Sequence, residues 1–92
     1  MTKITWGKSV ERQLDRVPEV IVRKFRIWVV LVEESGIREV RKVKGFHDEP
    51  LKGDRRGQRS VRLNKAYRAI YVEHVTGVIE LIEVLEVNKH EY

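Results

Sequence analysis

The sequence contains no cysteine, and its 92 residues include only two prolines and one methionine. The absence of cysteine excludes disulfide bonds, thiolate catalysis and cysteine-ligated zinc sites. The three histidines, at positions 47, 74 and 90, do not have the spacing of metal ligands, so we expect neither a metal nor another cofactor. No apolar run is long enough to span a membrane, and the first residues lack a signal-peptide pattern. We therefore expect one domain, residues 1–92, in the cytoplasm, with no membrane partner.

Positive charge is abundant and unevenly distributed. Residues 38–68 contain eleven Lys or Arg and four Asp or Glu, a net charge of +7. The rest of the chain contains eight Lys or Arg and ten Asp or Glu, a net charge of −2. Such an asymmetry is typical of a surface that binds a polyanion, although a basic face that only contacts solvent has the same composition.

Two helices are predicted in the first half of the chain. In GKSVERQLDRV, Val10, Leu14 and Val17 recur at helical spacing, and Pro18 ends this helix and suits the first turn of the next. The second helix continues to Gly36, a common C-terminal stop. Its apolar stripe consists of Val17, Ile21, Phe25, Trp28 and Val32. The two helices are expected to form a hairpin.

The second half of the chain has a different period. Residues 37–57 contain three glycines and a proline, and they predict an irregular loop with a short helical turn near 37–43. Three segments with a period of two follow: RSVRL, YRAIYVE and VIELIEVLEV, joined by NKA and by a turn at HVTG. Together with a short N-terminal strand, KITW, this order predicts an α+β fold: a helical hairpin packed on a mostly antiparallel, four-stranded sheet.

The register of the first hairpin determines where two arginines point. If Asn64–Ala66 is the connection, Arg62 lies directly opposite Arg68, on the face away from Val61 and Leu63. A two-residue turn would break this pairing. Like charges opposite one another destabilise an antiparallel pair, which predicts a compensating anion. Alternatively, both arginines form ion pairs with nearby acids of the sheet. The candidate acids are Glu73, Glu80 and Glu83.

Acid–base candidates are few. Glu49 precedes a proline among cations, and it is either a general base or a loop acid paired with Lys52 or an arginine. His90 follows the last strand and Tyr92 is the final residue, although chain ends usually fray. His47 and His74 are interpreted as a loop and a turn residue without a role. An acid, a base and clustered cations suit RNA cleavage, in which the 2′-OH is an internal nucleophile.

The motifs of the second half resemble a known family. EPLKG (49–53), the spacing through Gly57 to RSVRL, the strand YRAIY and the terminal HEY resemble the RelE/ParE toxin superfamily, and in particular its mRNA interferases of the RelE/YoeB/HigB kind. The resemblance covers essentially the whole chain. It implies a toxin of a type II toxin–antitoxin system that cleaves mRNA in the A site of the 70S ribosome without a metal and is neutralised by a cognate antitoxin.

The resemblance also implies roles for individual residues. Glu49 would be the general base for the 2′-OH, and Arg68 would stabilise the scissile phosphate. His90 and Tyr92 would protonate the leaving 5′-oxygen and orient the codon. Basic positions would hold RNA phosphates: Lys44, Lys52, Arg55, Arg56, Arg59 and Arg62. Because some relatives lack the acid and rely on lysines, Lys44 or Lys52 would be the base in that case.

Two other functions suit the same sequence. A ParE-type protein has this fold but inhibits DNA gyrase by binding, without nuclease activity. A non-catalytic RNA-binding module would use the basic patch alone, and its binding would weaken steeply with salt. Val20, Val22 and Val30 lie off the main stripe of the second helix, where they either meet the antitoxin or belong to the core.

Overall fold

The computed structural model describes residues 2–89, so the predicted roles of His90 and Tyr92 fall outside the described residues. The strands are β1 (Thr2–Trp6), β2 (Glu49–Pro50), β3 (Gln58–Arg62), β4 (Tyr67–Thr76) and β5 (Ile79–Lys89). The helices are α1 (Lys8–Arg16), α2 (Glu19–Ser35) and α3 (Ile37–Val40), and 3₁₀ turns span Lys44–Phe46 and Gly53–Arg55. None of the helices in this part of the chain is both long and apolar enough to cross a membrane.

Helix α2 buries the predicted apolar stripe. Ile21, Phe25, Trp28 and Val32 are all almost inaccessible to solvent, and Gly36 ends the helix at a φ of 83°, which glycine adopts without steric cost. The aromatic rings continue from the helix to the sheet. Ring centroids lie 5.2 Å apart for Trp6 and Phe25, 6.1 Å for Phe25 and Trp28, and 5.4 Å for Trp28 and Tyr71. The core therefore lies between the helices and one face of the sheet.

The strands form one sheet in the order β1-β5-β4-β3-β2. β1 is parallel to β5, and every other neighbouring pair is antiparallel. The predicted α+β architecture is confirmed, as is the short helical turn that begins at Ile37. The predicted number of strands was one too low, because the segment expected to be an irregular loop contributes β2.

β2 is too short to be recognised from a period of two. It consists of Glu49 and Pro50, which pair with Ser60 and Arg59 of β3. A proline is tolerated there because β2 is an edge strand. The HVTG turn was also placed too early: His74 belongs to β4, and the chain reverses after the strand, with Gly77 at a φ of 59°.

The two faces of the sheet have different chemistry. Val61, Leu63 and Ala69 point into the core with the helices. Because side chains alternate along a strand, Arg62 and Arg68 point to the opposite face. The candidate site is therefore built on the sheet face that is turned away from the helical hairpin.

Candidate active site

Leu63 faces Tyr67 across the turn between β3 and β4, as predicted, with Asn64–Ala66 between them, although the regular part of β3 ends at Arg62. The side-chain oxygen of Asn64 accepts hydrogen bonds from the backbone N–H groups of Ala66 (2.7 Å) and Tyr67 (2.8 Å). The backbone N–H of Leu63 donates to the carbonyl of Tyr67 at 2.9 Å. Asparagine thus closes this turn with its own side chain. The resulting register places Arg62 directly opposite Arg68, which confirms the predicted pairing.

The acids that could have neutralised this arginine pair are engaged elsewhere. Glu73 is paired with Arg41 at 2.8 Å, and Glu83 with His74 at 3.0 Å. Glu80 accepts hydrogen bonds from Thr2 Oγ1 (3.1 Å) and from the backbone N–H of Ile37 (3.3 Å). Within residues 2–89, neither Arg62 nor Arg68 forms an ion pair, and the buried Nε of Arg68 has no hydrogen-bond partner. Adjacent cations without counter-charge on a sheet face are destabilising, and they form a ready site for an anion.

The arginine pair lines a cleft of about 200 Å³. Strand β2 brings Glu49 to this cleft, because Glu49 pairs with Ser60, two residues before Arg62. The lining side chains are His47, Glu49, Ser60, Arg62, Asn64, Lys65, Tyr67 and Arg68. Of the residues predicted for the site, the structure thus brings together Glu49, Arg62 and Arg68.

Arg68 also lines a second, more open depression of about 470 Å³ on its other side. Asn88, which pairs with Arg68 across β4 and β5, contributes to this depression together with Glu86 and Lys89. Arg55 lies there as well, paired with the carboxylate of Glu86 and hydrogen-bonded to Gln58 at 3.2 Å. Arg68 therefore borders both depressions.

His47 is a cleft residue that sequence reasoning missed. Its backbone is left-handed, with φ 42° and ψ 52°, and it caps the 3₁₀ turn Lys44–Phe46. The imidazole Nε2 lies 3.5 Å from Glu49 Oε2. Glu49 is thus paired with this histidine, and not with the lysine or arginine that the loop-acid alternative named. A single left-handed residue leaves no periodic signal in the sequence.

A buried polar network lies on the core side of this corner. The Asp48 carboxylate, 1% exposed, accepts hydrogen bonds of 2.6 Å from Arg59 Nε and 2.6 Å from the Tyr71 hydroxyl. Arg41 donates to the Tyr71 oxygen at 3.1 Å and pairs with Glu73 at 2.8 Å. Burial, reinforced by the hydrogen bond to Asp48, raises the pKa of Tyr71 well above its ordinary value. The network holds the residue immediately before Glu49.

The remaining predicted basic residues lie apart from the cleft. Arg59 is on the core side of β3, where it pairs with Asp48, and Lys44 is exposed on its 3₁₀ turn. Lys52 and Arg56 line a shallow depression of their own around Leu51 and Gly53. Their assignment to RNA binding stays a prediction. No group of three or more His, Asp or Glu side chains within residues 2–89 is placed to share a metal ion.

No family model matches this sequence, and no curated protein does either. Solved structures do match over nearly the whole chain. A YoeB/ParE toxin from Agrobacterium tumefaciens is 23% identical with a TM-score of 0.75, over 97% of this chain and 99% of that one. YafQ from E. coli strain BL21(DE3) is 13% identical with a TM-score of 0.75, over 98% of this chain and 94% of that one. The E. coli DinJ–YafQ toxin–antitoxin complex gives 16% identity and a TM-score of 0.70, over 97% and 92%. The chain therefore has the RelE/YoeB-like fold that its motifs implied.

Proposed function

We propose that this protein is the toxin of a type II toxin–antitoxin system, an endoribonuclease that cleaves mRNA in the A site of the 70S ribosome. The observation that carries the proposal is the pair Arg62 and Arg68, opposite each other and without an ion-pair partner in residues 2–89, in one cleft with Glu49. A phosphodiester offers these two cations the ion-pair partner that they lack. The similar fold of YafQ and of the YoeB/ParE toxin supports the same function.

The chemistry follows from what the cleft contains. A base in the cleft removes the proton of the 2′-OH, and the 2′-oxygen attacks the adjacent phosphorus. Arg68 stabilises the negative charge that develops on the phosphoryl oxygens, and its partially buried position strengthens this interaction relative to bulk water. The product is a 2′,3′-cyclic phosphate. Tyr67 also borders the cleft, with its partly buried side chain packed against the core.

A cognate antitoxin is the second partner in this proposal. The fold neighbours include a toxin–antitoxin complex, DinJ–YafQ, which supports a protein partner of this kind. Val20 and Val30 are exposed on α2, and Val22 is half-buried. Since Val20 and Val30 are not core residues, they remain available for contact with an antitoxin, which we propose also covers the basic cleft with acidic side chains.

Primer extension on mRNA bound to purified 70S ribosomes tests the enzymatic part. The wild type should give breaks in the A-site codon, and Arg68→Ala should lose them almost completely, since loss of one preorganised charge stabiliser costs about 10²–10³ in rate. Arg12→Ala is a matched control because it removes the same charge from an exposed position of α1. Equal cleavage by Arg68→Ala and the wild type would disprove the assignment of the site.

A second candidate function is inhibition of DNA gyrase. It is favoured by one observation, that a structural neighbour carries the name YoeB/ParE toxin. A supercoiling assay separates the two functions. Gyrase inhibition without mRNA breaks would establish the ParE-type activity. RNA binding that weakens steeply with salt, without either activity, would instead identify a non-catalytic RNA-binding module.

A further inference from the structure

His47 is held in an unusual backbone conformation by both of its neighbours. Phe46 is buried and its ring is contacted by the ammonium group of Lys24, 5.0 Å from the centroid. Asp48 is fixed by Arg59 and Tyr71. Between these two anchors, the left-handed conformation turns the His47 side chain to the cleft. Such a conformation is uncommon outside glycine, and it costs about 1 kcal/mol or more, a strain that is often found at functional sites.

The contact between His47 and Glu49 has the form of an acid–base dyad. The imidazole Nε2 and the carboxylate are 3.5 Å apart, and both side chains are about half exposed at the cleft. In an in-line displacement, the attacking 2′-oxygen and the leaving 5′-oxygen lie on opposite sides of the phosphorus. Two groups this close to each other therefore serve the same side of the reaction. One of the two groups transfers the proton, and the other orients the side chain of the first.

We propose that His47 is the general base of the cleft and that Glu49 is its positioning carboxylate. This inference rests on the proposed nuclease function and changes the role that the resemblance gave to Glu49. The Glu49 carboxylate, 3.5 Å from Nε2, favours the tautomer with the proton on Nε2 and so leaves the electron pair of Nδ1 free to take a proton, as carboxylates do for catalytic histidines elsewhere. The carboxylate also stabilises the imidazolium that forms during the reaction.

In the proposed reaction, His47 takes one proton while phosphorus exchanges its 5′-oxygen for the 2′-oxygen. The proton of the 2′-OH moves to Nδ1 of His47, and a bond forms between the 2′-oxygen and phosphorus. The bond between phosphorus and the 5′-oxygen breaks, and the 5′-oxygen keeps the electron pair and takes a proton from water. Arg62, Lys65 and Arg68 are the cations that line the same cleft and balance the charge of the phosphoryl group.

His47→Gly tests the proposal, because glycine adopts a φ of 42° without strain and leaves space for a free imidazole. We expect single-turnover cleavage on programmed ribosomes to fall roughly 100-fold, the effect of removing a general base. Added imidazole should restore part of the rate, which a purely structural residue would not show. The melting temperature should be unchanged or higher, because the strained backbone is relieved. Glu49→Gln should retain more activity than His47→Gly.

The chain provides a matched control. His74 and Glu83 form another histidine–carboxylate pair, 3.0 Å apart and similarly exposed, and neither side chain lines the cleft. His74→Gly should therefore cleave like the wild type, with or without imidazole. Wild-type cleavage by His47→Gly, or a loss that imidazole does not restore, would overturn the role of His47 alone. A wild-type protein that makes no mRNA breaks would overturn the nuclease function itself, and the inference with it.

Discussion

The substitution Asp48→Asn perturbs the buried network behind the cleft without changing the shape of the side chain. The Asp48 carboxylate accepts two hydrogen bonds of 2.6 Å, from Arg59 and from the Tyr71 hydroxyl, and it is 1% exposed. Hydrogen bonds to a charged group contribute about 1.5–3 kcal/mol each. Asparagine retains one acceptor oxygen, without charge, and directs an NH₂ group at the other donor. We therefore expect a loss of about 3 kcal/mol in the free energy of unfolding.

This loss is large for a domain of this size. Total stabilities are typically about 5–15 kcal/mol, and 1 kcal/mol shifts the melting temperature of a domain of this length by about 4–8 °C. Urea denaturation followed by tryptophan fluorescence measures the effect, since Trp28 lies against Tyr71 with ring centroids 5.4 Å apart. The midpoint should fall while the slope against urea stays constant, which indicates a change in stability without a change in the unfolded state.

A second ion pair of the chain supplies the comparison. Arg55 and Glu86 are paired with side chains 41% and 26% exposed, so solvent screens them. Glu86→Gln should cost less than about 1 kcal/mol. If Asp48→Asn is no more destabilised than Glu86→Gln, the buried network does not stabilise the corner that carries Glu49, and the reasoning from burial is wrong.

Three further predictions concern the core, the network and the cleft. Trp28→Ala should lose about 3–5 kcal/mol in urea denaturation, because a fully buried ring is removed, and a variant as stable as the wild type would contradict the core assignment. Because the pKa of Tyr71 is raised, the folded state retains the phenol proton that the unfolded chain releases near pH 10. The advantage of the wild type over Tyr71→Phe should thus be complete below pH 10 and decline above it, and a difference independent of pH would refute the shift. Arg62→Gln should raise the stability by about 0.5 kcal/mol at low salt, as it removes a like-charge pair, while RNA binding weakens. Lower stability of this variant would mean that the pair is neutralised in solution.

The sequence was most informative where side chains recur with a period. The stripe Ile21, Phe25, Trp28 and Val32 identified the buried face of α2, and alternation identified the strands. The pairing of Arg62 with Arg68 followed from the sequence only if Asn64–Ala66 was the connection, and the observed register meets that condition. The same alternation also separates Arg59 from Arg62, because residues an odd number of positions apart point to opposite faces of a strand. Arg59 was grouped with the cleft residues although its face could have been predicted.

Other parts of the site depend on contacts between distant residues. β2 has only two residues, one of them a proline, so it exists only because β3 offers an edge to pair with. Asp48 is bonded to Arg59 and Tyr71, which are 11 and 23 positions further along the chain, and no local sequence pattern predicts these contacts. The left-handed conformation of His47 could not be predicted from the sequence either, because it results from the two anchored residues on either side. Long-range packing determines these features, and the local conformational propensity of the residues does not.

The cleft is thus assembled from two parts, of which the edge segment is attached to the hairpin of β3 and β4. The hairpin of β3 and β4 positions Arg62 and Arg68 through a regular ladder closed by Asn64. The edge that carries His47 and Glu49 is joined to β3 by the two residue pairs of β2 and by a 2.9 Å hydrogen bond from the Leu51 N–H to the Gln58 carbonyl. Its further anchor is the carboxylate of Asp48 beside it. Weakening that anchor should displace the acid–base pair while the arginines stay in place, since their ladder does not include Asp48. Asp48→Asn should therefore lower cleavage more than it lowers RNA binding, even at a temperature where the variant is fully folded.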